Sequence, residues 1–267
     1  MENITVIIPI HKYNDKIKTY LDRAISSVFA QKNTAEKVML VGPKETLDLI
    51  KKDFKPQKLV FIENDGKIDY CSQVNFGVKN CDTKYFSILE FDDTYSETWF
   101  KNVELYIKNK PDFSFFLPIV NFINKDEKVC GIVNEIIWAM SFSNEIGVID
   151  EDTLQSYYDF SPCGGVFRTD DFIEIGMLKP SIKLSFWYEF LLRATGKNIK
   201  IYVIPKNGYY HSVEREDSLL SEYSTMSANE RTWWIKLATK ECYFDKERKE
   251  YYTYVPTKEL SDVDGLK

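Results

Sequence analysis

The first 110 residues alternate between short apolar runs and segments in which apolar residues recur at helical spacing. The runs are rich in β-branched residues and have the length of strands buried on both faces. Strands are predicted at 4–10, 37–42, 58–64 and 85–91, and helices at 15–31, 46–54, 70–80 and 97–109. Because strands alternate with helices, the pattern predicts an α/β fold with a mostly parallel, mixed sheet flanked by helices.

The pattern after residue 110 is less regular, and residues 134–160 are predicted to be mostly loop. Ser227 and Glu230 form a capping box, which marks the start of an amphipathic helix outside the main sheet. The predicted strands are 113–124, 128–133 and 200–205, a strand leads into a short helix over 163–176, and helices cover 185–196 and 227–244. These patterns favour one compact domain with a C-terminal helical extension.

Composition narrows the class of protein. The chain has 267 residues, 44% of them hydrophobic, which suffices for one large α/β core. A net charge of −6 provides no basic field for nucleic acid. No apolar run is long enough to span a bilayer, and the N-terminus enters a strand without a positively charged leader, so a cytoplasmic location is expected. Five scattered cysteines without a CxxC pair indicate reduced thiols.

Three acidic residues, Glu90, Asp92 and Asp93, crowd the end of the predicted strand 85–91. Neighbouring carboxylates repel each other unless a positive group joins them. A hard divalent cation prefers oxygen ligands and can bridge to phosphate. The acidic stretch therefore predicts a site for Mg²⁺ or Mn²⁺.

The order of these features resembles that of the family 2 glycosyltransferases with the GT-A fold, over roughly residues 4 to 220. The stretches that carry the resemblance are ITVIIPIHKYND, YLDRAISSVFAQ, SQVNFGVKNCDTKYFSILEFDD, CGGVFRTDDFIEIGML, FWYEFLLRATGKNIKIYVIP and YYHSVEREDSLL. The resemblance implies a GT-A domain over 1–215, with a Rossmann-like nucleotide-binding half at 1–110 and an acceptor half at 111–215. Residues 216–267 are then the helical extension.

The resemblance further implies transfer of a sugar from a nucleotide-diphosphate sugar to an acceptor hydroxyl, metal-dependent and inverting. A UDP-sugar is the favoured donor, and a glycan, a lipid-linked or a protein acceptor all remain open. Glu90 would lie near the donor ribose, Asp92 would hold the metal, and His211 would be a further metal ligand. The implied nucleotide-sugar-binding residues are Pro9, Ile10, His11, Asp65, Gln73, Glu90, Phe91 and Asp92.

Several of these residues have a plainer interpretation. Asp93 is predicted to help Thr94 and Ser96 cap the next helix. His211 is as well explained by a packed histidine bonded to Ser212 or Glu214 as by a metal ligand. Asn75 is predicted to be a structural hydrogen-bonding residue. The pair Gly164 and Gly165 either permits close backbone packing or binds the acceptor. The aromatic residues predicted to be core rather than sugar-stacking are Tyr209, Tyr210, Trp233 and Trp234.

Three positions depart from the family pattern. Gly42 and Pro43 stand where an acid reads the nucleobase, and Val74 stands where an arginine is common. Trp187 stands where inverting members have the aspartate that deprotonates the acceptor, and an indole cannot accept that proton.

The acid missing at 187 leaves two functions open. In the first, Glu189 is the predicted catalytic base, with Asp170 or Asp171 as substitutes. In the second, the chain is a nucleotide-sugar-binding, GT-A-like protein whose transferase activity is weak or lost. A nucleotidyltransferase is a weaker third class, because no glycine-rich phosphate loop follows the first strand.

Overall fold

The computed structural model describes residues 3–31, 35–54, 58–213 and 225–240. The strands are β1 (Ile4–Pro9), β2 (Lys37–Gly42), β3 (Leu59–Glu63), β4 (Tyr85–Ile88), β5 (Thr94–Tyr95), β6 (Phe115–Ile123), β7 (Val129–Val133), β8 (Val148–Ile149), β9 (Val166–Arg168) and β10 (Ile201–Ser212). The helices are α1 (Asp15–Phe29), α2 (Lys44–Asp53), α3 (Tyr70–Lys79), α4 (Trp99–Asn109), α5 (Glu151–Ser156), α6 (Thr169–Glu174), α7 (Phe186–Gly196) and α8 (Ala228–Lys240), with a 3₁₀ turn at Glu135–Trp138.

The strands form one sheet of ten strands in the described residues, in the order β3-β2-β1-β4-β9-β6-β10-β5, with β7 on β6 and β8 on β10. Pairing is parallel among β1, β2, β3 and β4 and between β6 and β10, while β9 runs antiparallel between β4 and β6. The sheet is therefore mostly parallel and mixed, as the sequence predicted. The carboxyl ends of β1, β4, β6 and β10 lie at one edge, where such sheets bind ligands.

Buried side chains cover both faces of the sheet, as the continuous apolar strands predicted. Val6 and Ile8 of β1 pack on one face with α1 and α4, while Ile7 packs on the other with α3 and α7. Helix α3 lies especially close, because a Cβ at Gly77 would approach Ile7 Cγ2 to 2.7 Å. Glycine at this position is what lets the helix settle on the sheet.

Several local predictions were wrong at the element ends. Strand β4 stops at Ile88 rather than 91. Helix α4 begins at Trp99, and Ser96 does not cap it, because the Ser96 hydroxyl donates to the carbonyl of Asn207. Strand β10 continues for 12 residues to Ser212, well past the predicted end at 205. The last helix does begin where the capping box placed it, with the amide of Glu230 donating to the Ser227 hydroxyl. Residues 241–267, and so most of the predicted extension, lie outside the described residues.

Asn75 on α3 ties the helix to the segment before α7. Its side chain donates to the carbonyl of Leu178 at 2.7 Å and accepts from the amide of Leu178 at 3.0 Å. The structural role predicted for Asn75 is confirmed.

Replacing Asn75 by Ala should lower the unfolding free energy by about 1–3 kcal/mol, because both backbone groups of Leu178 lose their partner. Asn80→Ala, on the same helix but exposed, is the matched control and should cost less than about 1 kcal/mol. Urea unfolding of the two variants compares them directly. Equal losses of unfolding free energy in the two variants would show that the hydrogen bonds of Asn75 stabilise the fold no more than those of Asn80.

Candidate active site

The acidic loop, residues 89–93, follows β4 at the carboxyl edge of the sheet. Leu89 still donates its amide to Ile7, and Asp93 then folds back to donate to the carbonyl of Glu90. Glu90 and Asp92 are half-buried, whereas Asp93 is buried with 1% exposure. The three carboxylates predicted to act together are thus held in one tight turn.

The end of β10 holds this loop in place. Asp93 accepts the amide of Ser212 at 2.7 Å, and its other oxygen lies 2.7 Å from His211 Nδ1. The Ser212 hydroxyl donates to the carbonyl of Asp92 at 2.7 Å. The expectation that Asp93 caps the next helix was therefore wrong, because both of its oxygens are engaged by β10. Of the two partners named for a packed His211, Ser212 is not the one that Nδ1 contacts, because Nδ1 lies against Asp93, and Glu214 lies outside the described residues.

The electrostatics of this pair favour a charged histidine. Burial lowers the pKa of His211, but the charge of Asp93 and its hydrogen bond, with the charges of Asp92 and Glu90, raise the pKa to about 9. At neutral pH the imidazolium therefore donates Nδ1–H to Asp93. The contact fixes the orientation of the imidazole ring. Asp93 binds Nδ1 and does not bind Nε2.

Two tyrosines hold Glu90. The amide of Glu90 donates to the Tyr209 hydroxyl oxygen at 3.1 Å, and the Tyr70 hydroxyl hydrogen-bonds the Glu90 carboxyl. Burial and the charges of Asp93 and Asp92 raise the pKa of Glu90 to about 8, although Tyr70 and the charge of His211 lower it in part. At neutral pH the Glu90 carboxyl is therefore mostly protonated, and a cation bound nearby would favour its ionised form.

The glycine pair before β9 serves close packing. Gly164 has φ +69°, and a Cβ there would lie 2.3 Å from Tyr209 Cδ2. Its carbonyl accepts the indole N–H of Trp99 at 2.9 Å, and the Ser87 hydroxyl donates to the carbonyl of Gly165 at 2.7 Å. Tyr209 is fully buried, as predicted for a core residue.

The other predicted donor-binding residues are spread along the same edge. His11 is exposed at the end of β1, with its carbonyl accepting the Thr46 hydroxyl. Asp65 is exposed in the turn after β3. Pro9, Ile10 and Phe91 are buried, so only their backbone could meet a ligand.

The side chain of Gln73 is buried and bonds to its own segment rather than to the acidic loop. Its side chain is 1% exposed and donates to the carbonyl of Ile68 at 2.7 Å. Its Oε1 has no hydrogen-bond partner within the described residues. The structure thus brings Glu90, Asp92 and His211 together but leaves Gln73 apart from them.

Glu189, the predicted base, does not fit that role. It is fully buried inside α7 and binds Arg193 through two hydrogen bonds of 2.8 Å. Lys179 lies 3.1 Å from the same carboxylate. Arg193 also donates to the carbonyls of Ile175 and Met177. A carboxylate enclosed by two cations has no access to an acceptor hydroxyl, so the prediction is corrected to a structural ion pair.

Trp187 belongs to an aromatic cluster. Its ring stacks on Phe167 at 5.8 Å with an interplanar angle of 12°, and packs edge-on against Phe190 at 5.7 Å. Because α7 begins at Phe186, both Trp187 and Glu189 are fixed by helical geometry. Neither position of α7 therefore supplies the acid expected there.

A small cleft of about 160 Å³ opens beside Asp92. Its other walls include Ser212 and the basic residues Lys16, Arg23 and Lys125. Arg23 also pairs with Glu127 at 3.1 Å. A larger, more open hollow of about 500 Å³ lies among residues 141–156, away from the acidic loop. The smaller cleft is the one that combines a carboxylate of the loop with positive charge.

Sequence reasoning missed the residues that hold the acidic loop. Tyr70, Tyr209 and Ser212 carried no local signal, because their partners lie 20 to 120 positions away along the chain. The ion pair of Glu189 with Arg193 could have been found, because a spacing of four residues places both side chains on one helix face.

The described residues contain neither a cluster of three or more metal-ligating side chains nor a membrane-spanning helix. Residues 3–31, 35–54, 58–213 and 225–240 contain no group of three or more His, Cys, Asp or Glu side chains arranged to hold a metal ion. No helix in these same ranges combines the length and apolarity needed to cross a membrane.

Comparison with known proteins identifies relatives at the level of family and fold. The model of the family described as "Glycosyl transferase family 2" matches residues 5–173. A search of curated proteins finds no match.

Similar solved structures include those of S. aureus TarS. TarS 1–349 in complex with UDP-GlcNAc aligns with a TM-score of 0.64 and 16% identity, covering 90% of this chain and 66% of TarS 1–349. The complex with UDP gives a TM-score of 0.60 and 14% identity, with coverages of 90% and 65%. The chain thus spans slightly less than two thirds of TarS 1–349. At this identity the likeness shows the fold, and it confirms the GT-A type sheet predicted from the sequence.

Proposed function

Because this chain belongs to glycosyl transferase family 2, we propose that it transfers a sugar from a nucleoside diphosphate sugar to an acceptor hydroxyl. The observation that carries the proposal is the clamped acidic loop, in which Glu90, Asp92 and Asp93 meet His211 at the carboxyl edge of the sheet. The unit that would carry the activity is residues 1–215, with 1–110 binding the nucleotide and 111–215 receiving the acceptor. Residues 216–267 would extend it.

The proposed donor is a UDP-sugar. Support comes from the TarS structures, which contain UDP-GlcNAc or UDP. Gly42 replaces the acid that reads the base in other members, and the structure gives a reason: a Cβ there would lie 2.0 Å from the carbonyl oxygen of Ile10. Nucleobase contacts would then come from backbone groups and from His11 at the end of β1.

The residues present suit Mn²⁺ or Mg²⁺ at Asp92, with His211 Nε2 as a second ligand once a cation has displaced the proton that Nε2 carries at neutral pH. A metal-binding histidine typically gives its other nitrogen to a carboxylate, as His211 gives Nδ1 to Asp93. Burial and the charges of Asp93 and Asp92 raise the pKa of Glu90, and a cation would lower it by favouring the charged form. When bound, such a cation stabilises charge developing on the leaving diphosphate.

The protein's own residues would do the positioning. Glu90, which Tyr70 and Tyr209 hold, would accept hydrogen bonds from the ribose. Lys16 and Lys125 line the cleft beside Asp92 and would add positive charge near the phosphates. The expected stereochemical outcome is inversion in a single displacement.

A thermal-shift screen tests donor binding. UDP and UDP-sugars should raise the melting temperature in the presence of Mn²⁺, because a ligand that binds only the folded state stabilises it. EDTA should abolish the shift, and ADP serves as the control nucleotide. The absence of any shift with every nucleotide and nucleotide-sugar of the panel would contradict the proposal.

One observation favours a second candidate, a nucleotide-sugar-binding protein without transferase activity. Trp187 occupies the position of the family's base, and Glu189 is locked in an ion pair. Donor binding without release of UDP from any UDP-sugar would support this second function.

A further inference from the structure

If the chain transfers sugar, an acid outside α7 must deprotonate the acceptor hydroxyl. The alternatives Asp170 and Asp171 lie on α6, directly after β9. Strand β9 runs antiparallel to β4, with Arg168 opposite Tyr85 and Val166 opposite Ser87. The chain after Arg168 therefore leaves at the edge of the sheet opposite the acidic loop. Both aspartates are placed away from the site.

The same antiparallel register brings the chain before β9 to the correct edge. This approach loop, residues 157–165, runs past the end of β4 beside the acidic loop. A Cβ at Gly164 would lie 2.3 Å from Tyr209 Cδ2, and the Tyr209 hydroxyl accepts the amide of Glu90, so both the approach loop and the acidic loop contact Tyr209. Asn134, fully buried, holds the loop by accepting the amide of Ser161 at 2.9 Å and donating to its carbonyl at 2.7 Å.

The other end of the approach loop rests on α7, next to the position of the missing base. The ring of Tyr158 packs against Tyr188 with centroids 6.0 Å apart. The Tyr188 hydroxyl donates to the carbonyl of Leu154 on α5 at 2.8 Å. Tyr188 directly follows Trp187, so the residue after Tyr158 lies beside the turn of α7 that carries the base in the family.

That residue is Asp159. We propose that Asp159 is the catalytic base of this chain, replacing the acid absent at Trp187; the inference rests on the proposed transferase function. Asp159 sits between the contact with α7 at Tyr158 and the anchor on Asn134 at Ser161. Both fixed points lie within two residues of it, so its backbone is held on either side.

The environment of Asp159 suits a base. The residue is half-buried, and burial raises its pKa to about 6. In the described part of the chain, no hydrogen bond or ion pair occupies its carboxylate. A base is most effective when its pKa lies near the working pH, and an unpaired carboxylate can accept a proton without first breaking a contact.

The step balances as a single displacement. The carboxylate of Asp159 takes the proton of the acceptor hydroxyl while the acceptor oxygen forms a bond to the anomeric carbon. The bond from that carbon to the diphosphate oxygen breaks, and the nucleoside diphosphate leaves with the electron pair. In donor hydrolysis, water takes the place of the acceptor and loses its proton to the same carboxylate.

Asp159→Asn tests the proposal, with Asp170→Asn and Asp171→Asn as controls. The probes are UDP-GlcNAc, UDP-glucose and UDP-galactose with Mn²⁺, UDP release to water gives turnover, and calorimetry gives the UDP affinity. Asp159→Asn should lower turnover by about a hundredfold or more with the UDP affinity unchanged within about twofold, while the controls keep turnover.

Three results overturn the assignment. Turnover of Asp159→Asn within about threefold of wild type rules Asp159 out as the base. Loss of turnover in Asp170→Asn or Asp171→Asn alone moves the role to α6. A wild type that binds UDP but releases none from any donor has no working base, which favours the second candidate function. If the wild type binds no nucleotide, the result contradicts the proposed function itself and not only the assignment of Asp159.

A stability measurement separates loss of the base from loss of the fold. Burial raises the pKa of Asp159 from 3.8 to about 6 in the folded state, so the wild type loses stability as the pH rises from about 4 to about 6, and the loss persists above pH 6. Asn cannot ionise. Asp159→Asn should therefore melt at a higher temperature than wild type at pH 8, and the difference should vanish near pH 4. A lower melting temperature at pH 8 would overturn the desolvated environment on which the assignment stands.

Discussion

Glu189→Gln should lower the unfolding free energy by about 3–5 kcal/mol, because it leaves buried cations without their anion. The side chain of Arg193 is 3% exposed and forms a bidentate pair with the carboxylate of Glu189. Lys179 lies 3.1 Å from Oε1 of the same carboxylate. Gln keeps the shape of Glu, so the loss isolates the charge. Chemical unfolding monitored by far-UV circular dichroism measures it.

Asp48→Asn is the control for Glu189→Gln. Asp48 pairs with Lys51 at 3.1 Å on α2, and the two side chains are 50% and 48% exposed. Its replacement should cost less than about 1 kcal/mol, as is usual for a surface ion pair. If Glu189→Gln instead kept full stability and abolished sugar transfer, Glu189 would be the base after all.

Asp92→Asn should weaken UDP binding in the presence of Mn²⁺ at least tenfold, about 1.4 kcal/mol. The substitution removes one charge from the loop and leaves its hydrogen bond to Ser212 intact, because the Ser212 hydroxyl binds the carbonyl of Asp92 and not its carboxylate. The affinity for UDP in EDTA should change much less. Titration calorimetry with and without Mn²⁺ gives both values.

Asp112→Asn is the control for Asp92→Asn. It changes the net charge equally but lies before β6, at the opposite edge of the sheet, with a side chain 77% exposed. Its UDP affinity should equal that of wild type under both conditions. A Mn²⁺-dependent affinity that survives Asp92→Asn unchanged would show that another group holds the cation.

The sequence was sufficient for the architecture because the signals for strands and helices are local. The apolar runs at 4–10 and 37–42 mark strands buried on both faces, and the structure places them there. Asn75 was assigned correctly from its place on a helix. The ends of β4 and β10 were not, because tertiary pairing rather than local propensity decides where those strands stop.

The candidate site was predictable only in part, for the same reason. The carboxylates Glu90 and Asp92 stand two positions apart in the sequence, so their grouping was visible. The partner of Asp93 on β10 and the pairing of Glu189 depend on how distant segments meet. Resemblance to the family located the position of the base at Trp187, but only the antiparallel register of β9 indicates which other acids reach the same edge.

The clamp on the acidic loop also bears on how the protein matures during its synthesis. The contacts of Tyr209, His211 and Ser212 with Glu90, Asp92 and Asp93 join residues 118 to 120 positions apart. A chain emerging from the ribosome can form β1 to β4 early, since those pairings are closer in sequence. The acidic loop then lacks these contacts until β10 has been synthesised. Under the proposed function, nucleotide binding would be deferred to a late stage of translation, so a nascent chain that stalls in the proposed acceptor half would not withdraw donor from the cell.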